Sequence, residues 1–166
     1  MGSQVVRDDR RLYDQIRREL VKMRRMAVTV GIHADAATRS GGGIDNVTLG
    51  AIHEFGTSNV PERSFLRSTV DQDPTILEFA QAQADAVVHG QMTADQAGER
   101  IGVVTADRVK RRIRSGIAPA LAPQTIERKL AKGAHGGGLQ SLASNAAVPL
   151  IDGGQLINSI DYKVQR

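Results

Sequence analysis

Ala27-Val28-Thr29-Val30-Gly31-Ile32-His33 alternates with period two. Val28, Val30 and Ile32 fall on one side and Ala27, Thr29 and Gly31 on the other, the pattern of a half-buried strand. Near the other end of the chain the pattern returns, with Ile160, Tyr162 and Val164 separated by polar residues. Two strands that each bury one face are expected to share one cover. The segments near 27–33 and 159–165 therefore predict one antiparallel sheet, with one or two short additional strands beside them. The fold class is α+β: a small antiparallel sheet including the N-terminal and C-terminal strands, covered by helices.

Helical signals fill the space between. Residues 8–25 carry Leu12, Ile16, Leu20 and Met23 at helical spacing, with Asp8 and Asp9 ahead of them and Lys22, Arg24 and Arg25 behind, as the helix dipole favours. Asn46 is placed to cap a short helix through Phe55, with Gly56 to stop it. Pro61 suits the first position of a helix over 62–70. Asp73-Pro74 opens another, which ends near Gly90. Thr93 and Gln96 form a capping box for the longest helix, to about Ser115. Gly116 and Pro119 end it, and Pro123 begins a short helix to Leu130. Asp152 is expected to cap one turn over Gln155 and Leu156. Flexible loops are expected near 34–46 and 132–148, around two glycine triplets.

The chain has 166 residues, the size of one domain, and no internal repeat. Hydrophobic residues make up 40% and aromatics only 3%, so the core must be built from Ala, Val, Ile and Leu. The absence of cysteine removes disulfides and thiolate metal sites. No apolar run reaches the roughly 18 residues a membrane span needs, and the charged start does not read as a signal peptide. With 22 Lys and Arg against 18 Asp and Glu, the net charge of +4 permits an acidic partner without requiring one.

Enzymatic signals fail one by one. Ile44-Asp45 follows the first glycine triplet and Leu139-Gln140 the second, where a phosphate-binding loop needs Lys and a hydroxyl. His33, His53, His89 and His135 are scattered, and His53-Glu54 lacks the second histidine of a zinc-protease helix. No nucleophile elbow occurs. Neither enzyme nor cofactor is expected. Arg108, Lys110, Arg111, Arg112 and Arg114 make a dense basic cluster late in the long helix. It reads either as a solvated face or as a surface for DNA phosphates or an acidic rim; no aromatics interleave for base stacking. The alternative function is thus a nucleic-acid-binding module using 108–114.

Two stretches stand out from this background. The first is Ala51-Ile52-His53-Glu54-Phe55-Gly56-Thr57 followed by Val60-Pro61-Glu62-Arg63-Ser64-Phe65-Leu66-Arg67. The second is Pro149-Leu150-Ile151-Asp152-Gly153-Gly154-Gln155-Leu156. With Val30-Gly31-Ile32 ahead of them, they resemble the tail-completion and head–tail joining proteins of long-tailed bacteriophages, often labelled minor tail or virion morphogenesis proteins. The resemblance runs from about Val28 to Val164. Gly153 stands where that family usually has Thr, an exchange expected to loosen the turn.

The resemblance implies a structural virion protein of the neck or tail, made in the bacterial host cytoplasm. It further implies a ring of identical subunits, sixfold by analogy, between a head connector or adaptor and tail terminator or tube proteins, with channel DNA close by. The residues that carry it are His53, Glu54, Phe55, Gly56, Thr57, Pro61, Arg63, Phe65, Leu66, Arg67, Leu150, Asp152, Gly154 and Leu156. From residue chemistry alone, Phe55, Phe65 and Leu66 are expected to add bulk to the core. Glu54, Arg63 and Arg67 are expected to pair locally or across a subunit boundary.

Overall fold

The computed structural model describes residues 10–36, 43–134 and 146–166. The elements are α1 (Arg10–Arg25), β1 (Ala27–Ile32), a 3-10 turn (Ala34–Ala36), α2 (Asn46–Phe55), α3 (Arg67–Gln72), α4 (Pro74–Val88), α5 (Ala94–Arg114), α6 (Pro123–Ala134), α7 (Gln155–Asn158) and β2 (Ile160–Gln165). The fold is α+β, a two-stranded antiparallel sheet packed against helices. Val28 lies opposite Val164, Val30 opposite Tyr162 and Ile32 opposite Ile160, so the two alternating patterns meet face to face. The additional short strands expected beside them do not occur among the described residues.

α5 lies across the apolar face of the sheet. It does so closely because Gly98 and Gly102, one turn apart, face the strands. A Cβ on Gly102 would sit 2.2 Å from Cδ2 of Tyr162, and one on Gly98 would sit 2.5 Å from Sδ of Met26. Further along, the same stripe of α5 turns apolar, and Val109 and Ile113 join Phe65, Leu156, Ile157 and Ile160 in the main core. Each such side chain removed from water contributes about 1.5–3 kcal/mol. Val30, Ile32, Leu49 and Leu66 pack around that cluster.

At the other end of α5, α1 packs against α4 and α5. The Glu19 carboxylate accepts from the Ala94 N–H at 2.9 Å, a carboxylate at a helix N-terminus where the dipole favours it. The capping box forms as expected, Thr93 Oγ1 accepting from Gln96 N–H and Gln96 Oε1 from Thr93 N–H. α1 itself buries no residue: Leu12 and Leu20 of its apolar stripe remain exposed.

Several boundaries differ from expectation. Asp45, not Asn46, caps α2, accepting from Thr48 N–H at 2.8 Å and from the Thr48 hydroxyl; Asn46 is the first helical residue. The helix expected over 62–70 begins only at Arg67, because the backbone of 65–67 is held by a side chain from α2. The N-cap position of α7 falls on Gly154, with φ 74°, two residues beyond Asp152. α6 continues past Leu130 to Ala134, inside the loop expected from 132. Residues 8–9 of the first helix, and residues 37–42 and 135–145 of the two loops, lie outside the described residues.

Candidate assembly surface

Asn46, Gly50 and Glu54, spaced by four, form the buried face of α2. Gly50 faces Ile32, whose Cδ1 lies 2.7 Å from where a Cβ would be. The stripe brings Glu54 inside at 5% exposure. Its carboxylate accepts from the Ser64 hydroxyl at 2.6 Å, and from the backbone N–H of Phe65 at 2.8 Å, Leu66 at 2.9 Å and Arg67 at 2.9 Å. One side chain thus satisfies the amides at the start of α3. Burial pushes the Glu54 carboxyl up, but the Ser64 hydroxyl and the three N–H groups outweigh it, and its pKa lies below the ordinary value.

The rest of the first motif locks the same loop. Gly56 ends α2 at φ 72°, and a Cβ there would lie 2.8 Å from the Glu62 backbone nitrogen, so only glycine fits. Thr57 Oγ1 accepts from the N–H of Asn59 and Val60, and Thr57 N–H donates to Val60 O at 2.8 Å. Pro61 leads the chain out of this turn without a helix. Arg63 N–H donates to His53 O at 2.7 Å. The Arg63 side chain, 6% exposed, donates Nε to Pro119 O at 2.9 Å and a terminal nitrogen to Ala120 O at 3.4 Å. Burial draws its pKa below the usual value, and two carbonyl acceptors face the charge that remains.

Phe65 is fully buried and Leu66 half-buried, as expected, but Phe55 is 66% exposed. The reason is rotational: Phe55 follows Glu54 by one residue, about 100° around the helix, and leaves the buried stripe. Arg67 lies over its ring at 5.7 Å and pairs with Glu62. Beside them opens an apolar groove of about 340 Å³, walled by Ile32, Val47, Ala51, Phe65 and Leu66. Glu54, Arg63 and Arg67 do not pair with one another; two grip backbone and the third covers Phe55.

The second motif meets the first through the core, where Leu150 and Leu156 join Phe65. Leu150 has φ 67°, and Gly153 and Gly154 follow at 73° and 74°. Gly153 therefore occupies left-handed backbone that strains a β-branched residue and suits glycine. Lys129 Nζ ties α6 to the turn, donating to Val148 O at 2.8 Å and Ile151 O at 2.7 Å. No sequence pattern had marked that lysine.

The basic cluster divides. At about 100° per residue, Arg108 and Arg112 stand on one flank of the buried Val109–Ile113 stripe, Lys110 and Arg114 on the other, and Arg111 opposite it. Arg108 bonds Asp73 at 2.6 Å, and Arg111 bonds Asp107 at 2.7 Å. The Thr75 hydroxyl, then Arg108, hold the Asp73 carboxyl below its ordinary pKa. Arg108, Arg111 and Arg112 line a groove of about 620 Å³ between α3 and α5.

Among the described residues no three His, Asp or Glu side chains converge as metal ligands do, and no helix is long and apolar enough to cross a membrane. Comparison with protein-family models, curated proteins and solved structures finds no match. Fold and site together define a small α+β protein whose distinctive motifs hold backbone in place and leave an aromatic at the surface.

Proposed function

We propose that this chain is a structural protein of a tailed-phage particle, not an enzyme, and that it completes the tail or joins it to the head connector as a ring of identical subunits in the neck. The observation that carries the reading is the construction of the first motif. Glu54 and Arg63 are occupied in fixing the 57–67 loop, while Phe55 projects beside an apolar groove. In a chain with three Phe and two Tyr, a largely exposed Phe is a marked departure from core use. Such a side chain on a rigid base suits contact with another protein. The order and spacing of the motifs supply the phage assignment by resemblance.

The nucleic-acid reading draws on Lys110, Arg112 and Arg114. Its force is reduced because Arg108 and Arg111 are already matched by Asp73 and Asp107. Deleting the gene from its phage tests the proposal. Filled heads and separate tails that fail to join are expected, with DNA replication intact. An early arrest of DNA synthesis contradicts it.

A further inference from the structure

α1 carries seven Lys and Arg against Asp14 and Glu19, a net of +5, while the whole chain carries +4. The positive charge of this protein therefore resides on one helix, and the remainder has a net charge of −1. Its opposite lies elsewhere: from Ser68 to Glu99 the chain has six acids and no Lys or Arg. α4 sits inside that stretch.

Both helices also leave apolar side chains in water. On the outward face of α1, Tyr13 is 67% exposed, one turn before Arg17, and Leu20 at 38% and Val21 at 49% lie between Arg17 and Arg24. Neither arginine has an acidic partner among the described residues. On the outward face of α4, Leu77 is 63% exposed and Val88 47%, set beside the exposed acids Glu78 and Asp85. Those two carboxylates likewise have no cationic partner among the described residues. The faces match in length, 16 residues against 15, in charge sign and in apolar content.

We infer that the outward face of α1 docks on the outward face of α4 of a second copy of this chain. Phosphate backbones need cations but not the exposed Tyr, Leu and Val that alternate with them here, and α4 answers both features. The two faces are different surfaces of one subunit. Repetition of a heterologous contact closes into a ring when the rotation fits. This deepens the neck proposal and rests on it for the ring, but the contact itself is tested on the isolated full chain.

Two variants are required: Arg17→Glu with Arg24→Glu, and Glu78→Lys with Asp85→Lys. Sedimentation velocity is measured over a range of concentration and salt, with circular dichroism to verify folding. The parent should self-associate more weakly as salt rises. Each variant alone should associate at least about tenfold more weakly, because like charges then face each other. Mixing the two should restore association, since every contact in an alternating assembly is again matched.

Variants that associate as the parent does, a mixture that fails to recover, or a parent that stays monomeric at its highest soluble concentration overturns the inference. So does a monomeric parent that binds duplex DNA or anionic vesicles through Arg17 and Arg24. The neck proposal fails separately, by the deletion phenotype. A phage complemented equally well by the parent and both variants removes this contact and leaves the neck role standing.

Discussion

Glu54 shows how far a single residue can be read from sequence. Its place beside His53 and Phe55 marked it, and pairing locally or across a subunit boundary was expected. Its partners are the Ser64 hydroxyl and three backbone N–H groups, and a backbone donor leaves no trace in residue identity. Removing the carboxylate strands those donors in a buried site. Glu54→Gln keeps the shape but turns an NH2 toward them, and a loss of about 1–3 kcal/mol is expected at neutral pH. The pH dependence has a definite sign. The folded pKa is lowered, so the carboxylate stabilises the fold above its unfolded value, near 4.3, and that contribution fades as pH falls through the folded value. Thermal melting from pH 7 downward should show the gap between the parent and Glu54→Gln narrowing as pH falls below the unfolded value. A gap that holds or widens there contradicts the four-bond arrangement.

Elements were legible where a period or a paired signal wrote them. The alternation at Val28, Val30 and Ile32, matched by Ile160, Tyr162 and Val164, pairs in the structure residue against residue. The Thr93–Gln96 box and Asp73 with Pro74 also open helices where they should. The helix over 62–70 failed because Pro61 permits a helix start but does not compel one, and Glu54 holds the amides of 65–67 in place. Phe55 failed as a core residue because hydrophobicity does not record which way a helix is rotated. Nor did α5 advertise that Gly98 and Gly102 admit the sheet. That packing has a measurable consequence. Gly102→Ala gains up to about 1 kcal/mol of helix propensity. It also drives a Cβ into the base of the Tyr162 ring, and a net loss of about 1–3 kcal/mol is expected. Gly98→Ala meets chiefly the thioether of Met26, a flexible side chain that can turn aside, and should cost less. Urea unfolding of both variants decides this; equal midpoints, or Gly102→Ala the more stable, contradict the close approach of α5 to the sheet.

At the scale of the whole molecule, the structure joins what the chain separates. The first motif, at 51–67, and the second, at 149–156, share one core through Phe65, Leu150 and Leu156. Arg63 and Lys129 tie that core to the segments around 119 and 148 by bonds to backbone carbonyls. The result is a base from which Phe55 and Arg67 project, with cations gathered on α1 and the acids Glu78 and Asp85 on α4. The basic run at 108–114 drew attention in sequence because its residues are contiguous. The stronger asymmetry, between α1 and the acidic stretch from 68 to 99, is spread over longer segments and acquires its faces only when the helices are oriented. These features suit a subunit that works in contact with others. Electron microscopy of purified virions, with this chain located by a fused tag, tests the neck assignment most directly. The account predicts a single ring of copies at the head–tail junction. Virions that lack the chain, or carry it anywhere other than that junction, contradict it.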